Sequence, residues 1–137
     1  MPMIDKFVFD TNALISAYIL LNSKNRQAYN KAFDGGVLIY SDATFDEFAE
    51  VFTRSKFEKY LSLEQRLSAI KEFHSIAFLI DVNISITDCR DSKDNKFLEL
   101  AVTANASCII TGDKDLLELN PFRKIPILNA ADFLNIF

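Results

Sequence analysis

The chain has 137 residues, 50% of them apolar, and carries 19 acidic against 15 basic side chains for a net charge of −4. That is enough for one hydrophobic core, and the wrong sign for a protein that grips nucleic acid by a basic surface alone. No run of roughly eighteen or more uncharged apolar residues argues for a membrane span, and Cys89, Cys108 and the single His74 leave no Cys/His zinc set.

Met1–Asp10 lacks a basic stretch followed by an apolar one, so an unexported, cytoplasmic protein is expected. Lys6-Phe7-Val8-Phe9 is a short apolar run that stops at Asp10, the pattern of a parallel strand covered on both faces. Thr11 or Asn12 then caps a helix through Ala13, Leu14, Ala17 and Tyr18. A second helix over residues 25–33 is stopped by Gly35-Gly36. Val37-Leu38-Ile39-Tyr40 predicts the second strand, followed by a helix with Phe45, Phe48, Ala49 and Phe52 along one face.

Ser62-Leu63-Glu64-Gln65 has the form of a capping box and opens a helix to about Phe78. Ile80, Val82, Ile84 and Ile86 alternate with polar residues, which predicts a third strand. Asp91 or Ser92 caps a helix bearing Phe97, Leu98, Ala101 and Val102. Cys108-Ile109-Ile110-Thr111 predicts the fourth strand, a short helix surrounds Leu116-Leu117, Ile125–Leu128 gives a fifth strand, and Asn129 caps the last helix. Strands alternating with helices imply an α/β fold of three layers, a parallel sheet of about five strands flanked by helices. No Pro/Gly/Ser-rich linker divides the chain, so residues 1–137 read as one domain.

Ligands of open α/β sheets bind at the carboxyl ends of the strands, and four acids fall there. Asp10 ends strand one, Asp113 follows strand four by one glycine, Asp94 opens the helix after strand three, and Glu47 sits near the start of the helix after strand two. Asp94 shares a helix face with Phe97, Leu98 and Ala101, so its carboxylate borders the stripe that packs on the sheet and needs a partner such as a metal ion. Each acid alone has a plainer role: Asp10 as a helix cap, Glu47 in a Thr44–Glu47 capping box, Asp94 at a helix dipole, Asp113 and Asp115 in a turn. Together on one rim they favour a site. Oxygen ligands without sulfur or imidazole suit Mg²⁺ or Mn²⁺, which near a phosphodiester supply an activated water and stabilise the leaving oxygen. Asn12 and Thr111 are placed to orient the carboxylates, and Arg54, Lys56, Lys59, Lys93 and Lys96 to contact phosphates.

Four segments carry a resemblance: Val8-Phe9-Asp10-Thr11-Asn12, Asp46-Glu47-Phe48, residues 91–101 (DSKDNKFLELA) and residues 110–117 (ITGDKDLL). In these segments, and in their order and spacing, the chain resembles the PIN-domain family, in particular its small prokaryotic toxin branch of VapC-like proteins. The resemblance implies a Rossmann-like fold and an acidic quartet of Asp10, Glu47, Asp94 and Asp113 that binds Mg²⁺ or Mn²⁺ for RNA hydrolysis. Asp115 is implied as a variable fifth acid, and Asn12 and Thr111 as accessory residues. It further implies a metal-dependent endoribonuclease, a small antitoxin as partner and a homodimer. The alternative is a PIN-fold module that binds RNA or protein without catalysis. Phosphatases that need Asp-x-Asp after strand one are a poorer match, because Asn12 holds the third position.

Overall fold

A computed structural model describes residues 3–137, so Met1 and Pro2 of the stretch inspected for a leader lie outside the described residues. Five parallel strands run in the order β3-β2-β1-β4-β5: β1 Asp5–Phe9, β2 Gly36–Tyr40, β3 Phe78–Leu79, β4 Cys108–Ile110 and β5 Ile127–Leu128. The chain builds outward from β1 to β3 on one side, then returns to place β4 and β5 on the other. Between β1 and β4 the winding reverses, and their carboxyl ends open a crevice there.

Alternation along the strands feeds two cores. Phe7, Phe9, Leu38, Tyr40 and Ile110 face one side, against α1 (Thr11–Ile19), α2 (Lys24–Gly35), α3 (Asp42–Phe52), α4 (Leu63–Ile76) and α7 (Ala130–Ile136). Val8, Ile39, Ile109 and Ile127 face the other, against α5 (Asn95–Ala104) and Leu116 of α6 (Lys114–Leu117). β1 and β2 approach closely at their amino ends, where a side chain on Gly36 would put Cβ 2.3 Å from the Asp5 carbonyl oxygen. Among the described residues no helix is long and apolar enough to cross a membrane.

Two expected elements are corrected. The third strand is Phe78–Leu79, not residues 80–86, and it pairs only with β2 at the sheet edge. The Ile80 backbone N–H makes the last bond to β2, to the Tyr40 carbonyl at 2.8 Å, and the chain then continues as a coil in which Ile86 is buried while Ile84 is exposed. Of the alternating residues, Ile86 is buried, Ile80 and Val82 are partly buried against the same core, and none lies in a strand. The caps also move: Asp10, not Thr11 or Asn12, caps α1, and Ser41 with Thr44, not Thr44 with Glu47, forms the box that opens α3. The Ser62/Gln65 box and the Asn129 cap form as expected.

Arg66 of α4 is 1% exposed and donates to three carbonyls: Nη1 to Phe52 (2.8 Å) and Arg54 (3.1 Å), Nε to Leu61 (3.1 Å). It closes the carboxyl end of α3 and the turn beyond it. Truncation leaves buried acceptors without donors and a void where the guanidinium was, so Arg66→Ala is expected to cost about 3–4 kcal/mol. Urea unfolding measures this, and a loss below about 1 kcal/mol would show that water replaces the guanidinium without penalty.

Candidate active site

The crevice between β1 and β4 is built by the ends of those strands. The backbone N–H of Asp10 donates to the Ile110 carbonyl at 3.1 Å, which ties the two strand ends together. Asp10 is 5% exposed, and Oδ1 accepts from the Ala13 backbone N–H at 2.9 Å as the cap of α1. Its other oxygen accepts from the Thr111 hydroxyl, and Thr111 Oγ1 in turn accepts from the Asp113 backbone N–H at 2.9 Å. Asp113 Oδ1 accepts from the backbone N–H groups of Asp115 (2.8 Å) and Leu116 (3.4 Å), capping α6. One chain of bonds therefore runs from the end of β1 to the turn after β4.

Asp94 ends a single 3₁₀ turn, Ser92–Asp94, that Asp91 caps, and α5 starts at the next residue. It is 7% exposed, and its Oδ2 is buried without a hydrogen-bond partner. Glu47 projects from the second turn of α3. Thr11 donates its hydroxyl to Oε1, and Lys96 pairs with Oε2. Asp10, Glu47, Asp94 and Asp113 all line one cavity of about 330 Å³, together with Arg54, Lys56 and Lys93.

Burial pushes the Asp10 carboxyl up to about 6, with the charges of Asp113 and Glu47 adding to it and the bonds from Thr111 and Ala13 opposing it. Asp94 is also raised, by burial first and then by the charges of Asp113, Asp91 and Asp10. Both acids bind protons more tightly folded than unfolded, so stability conferred by protonation is lost as pH rises through the folded values. Metal-free protein is accordingly expected to weaken between about pH 4 and 6 through Asp10, on the order of 2–3 kcal/mol, and further above that through Asp94. Urea midpoints for protein stripped of metal, from about pH 4 to 8, test this; a flat or rising profile would show that the acids ionise freely.

A divalent ion is the group such acids would take. Among the described residues, no three carboxylate, thiol or imidazole side chains converge as a preformed ligand cage, and Glu47 is committed to Lys96 and Thr11. Mg²⁺ and Mn²⁺ do not require a cage, since Mg²⁺ keeps several waters and binds through one or two carboxylates. The partnerless oxygen of Asp94, close enough to Asp10 and Asp113 for their charges to act on it, is where one fits.

A family model described as the PIN domain matches residues 6–115. The chain belongs to the PIN-domain family. This PIN domain is 36% identical over 126 residues to the uncharacterized protein MJ1680 of Methanocaldococcus jannaschii, covering 90% of this chain and 81% of the relative. Its fold is similar to that of PAE2754 from Pyrobaculum aerophilum, with TM-score 0.65, 13% identity, and 96% and 88% of the two chains covered. It is also similar to VapBC2 from Rickettsia felis bound to a DNA fragment from its promoter (TM-score 0.60, 17% identity, 90% and 97% covered). DNA-bound VapBC from Salmonella typhimurium matches comparably (TM-score 0.61, 18% identity, 93% and 99% covered).

The PIN domain's remaining expected site residues divide. Thr111 donates its hydroxyl to the Asp10 carboxylate, whereas Asn12 is exposed at the cavity edge and holds no carboxylate among the described residues. That part falls to Thr11, which sequence reasoning assigned to capping; no local pattern shows that its hydroxyl reaches across to α3. Asp115 contributes its backbone N–H to the Asp113 cap and does not line the cavity. Arg54 lines the cavity while paired with Glu50 (2.7 Å), Lys56 and Lys93 line it, Lys59 stands over the Tyr60 ring outside it, and Lys96 is spent on Glu47.

Proposed function

We propose that this PIN domain is a metal-dependent endoribonuclease, the toxin component of a toxin–antitoxin pair. The observation that carries the reading is the buried, unpartnered Asp94 oxygen set among the charges of Asp113 and Asp10. An uncompensated carboxylate there costs stability that a bound cation would return. Asp10, Asp94 and Asp113 would hold Mg²⁺ or Mn²⁺, with Glu47 positioned by Thr11 and Lys96 at the far wall. When bound, the ion supplies a water of lowered pKa and compensates charge on the phosphate. The chain's own contribution is orientation: Thr111 fixes the Asp10 carboxylate, the Asp113 cap fixes its neighbour, and Arg54, Lys56 and Lys93 offer charge to the RNA backbone.

On this reading residues 1–137 form one PIN domain that acts in the cytoplasm as a homodimer, and a small antitoxin protein covers the acidic cavity. The fold shared with the two VapBC proteins supports that setting. Purified protein incubated with end-labelled single-stranded RNA, and with DNA of the same sequence, is expected to cut the RNA in Mn²⁺ or Mg²⁺ and to leave both intact in EDTA. Intact RNA in either metal, from protein that melts cooperatively, would leave the non-catalytic binding module as the function.

A further inference from the structure

The acids do not end the cavity; they divide two. A second opening of about 360 Å³ lies on the other side of Asp10 and Asp113, sharing those residues and Asn12 with the first and bounded beyond them by Ser16, Asn25 and Gly112. The two differ in chemistry. The first sets three cations, Arg54 (paired with Glu50), Lys56 and Lys93 (paired with Asp91), among five carboxylates, whereas the second has Asp10 and Asp113 and no Lys or Arg in its lining.

Asn12 and Ser16 stand one turn apart on α1, and Asn25 reaches the same space from the first turn of α2. No hydrogen bond within the described residues engages these three side chains, although neighbouring Thr11, Ala13 and Arg26 are all bonded. At Gly112 an added Cβ would meet nothing within 4 Å, so the wall there is open.

A strand of RNA crossing the acids must put its charged phosphates and its uncharged bases in different places. Phosphate fits the first cavity, where Arg54, Lys56 and Lys93 stand among the acids that would hold the divalent ion; in the second it would face Asp10 and Asp113 with no Lys or Arg in the lining to offset them. A base is neutral, the unstacked bases of single-stranded RNA are read by hydrogen bonds to their edges, and a carboxamide is one of the side chains that can pair with such an edge. Adjacent carboxylates favour donors over acceptors at that edge. Adenine and cytosine carry exocyclic amino groups, whereas uracil presents carbonyl oxygens in their place.

We propose that the second cavity is a base subsite, selective for an amino-bearing base of the nucleotide beside the scissile phosphate, with Asn25 and Ser16 as specificity-determining residues. It rests on the ribonuclease reading for its substrate, and two readouts keep the two ideas apart. In the first, protein carrying Asp94→Asn is titrated in EDTA with fluorescent oligo(A), oligo(C) and oligo(U), with and without Asn25→Ala or Ser16→Ala. The parent is expected to bind oligo(A) and oligo(C) about tenfold tighter than oligo(U), and each added substitution to reduce that ratio toward one. Arg54→Ala is expected to weaken all three alike. In the second, cleavage positions are mapped in randomised RNA, where Asn25→Ala should flatten the preference at one flanking position. An unchanged ratio in the Asn25 and Ser16 variants, or no base preference in the parent, overturns the subsite even if RNA is cut. Loss of the ratio in a protein that never cuts RNA keeps the subsite and sinks the ribonuclease.

Discussion

Replacing Asp94 with Asn is expected to abolish RNA cleavage, by roughly three orders of magnitude or more, and at the same time to stabilise the metal-free protein. Both effects come from one atom. Asp94 Oδ2 is buried without a donor, and the neighbouring group to which it could bond, Asp113, is another acceptor. Two carboxylates can share a bond only if one holds a proton or a cation bridges them. A carboxamide at position 94 has the same shape, no charge, and an N–H to donate to Asp113. We therefore expect a gain of about 0.5–2 kcal/mol in EDTA, the usual range for relief of strain at a functional site. Asp10→Asn should be equally inactive, and the double variant no worse than either single one, because both residues serve one unit. A melt of the Asp94→Asn protein below wild type in EDTA would mean that this acid is structural, and wild-type cleavage by it would remove Asp94 from the site.

Divalent metal should also stabilise wild type, while supporting activity rather than removing it. At a hundred times its dissociation constant, Mn²⁺ or Mg²⁺ is expected to stabilise the fold by about 2.7 kcal/mol, roughly 8–10 °C in Tm for a domain of this size. The Asp94→Asn protein should move much less. Activity should disappear on chelation and return with either ion, without any need for zinc, since the cavity offers oxygen donors and both cysteines lie buried in the core rather than in its lining. Calorimetry or dye melts in EDTA, Mn²⁺, Mg²⁺ and Zn²⁺ make the comparison. Equal shifts in wild type and variant would place the ion elsewhere.

How much of this was legible in the sequence depends on range. Asp10 and Asp113 were readable because each stands at the end of a short apolar strand, and strand ends in an α/β sheet converge. Asp94 was readable from its spacing to Phe97, Leu98 and Ala101, all of which are buried as that spacing demands. Apart from the caps of α1 and α3, which each moved by one to three residues, what failed depends on a distant partner. The run from Ile80 to Ile86 alternates like a strand, yet β2 ends at Tyr40 and only Ile80 bonds to it. Lys96 looked like a phosphate contact until α3 brought Glu47 to it, 49 positions away in the chain. The second cavity, made by α1 and α2 meeting the turn after β4, left no pattern at all.

On the proposed reading Asp10 and Asp113 each hold two jobs, and this separates the acids by what a lineage could discard. Asp10 caps α1 and Asp113 caps α6 whether or not any metal is bound, so a descendant that had lost catalysis would still be selected to keep them for folding. Asp94 makes no capping bond, and its buried charge is a burden in the absence of a cation. Drift would erase it first. The two aspartates nearest the strand ends are thus weak witnesses to activity, and an intact Asp94 is the strong one. The same division warns against alanine at position 10 as an inactive control: it would remove a helix cap worth about 1 kcal/mol along with the charge, whereas asparagine removes the charge and keeps one oxygen to accept from Ala13.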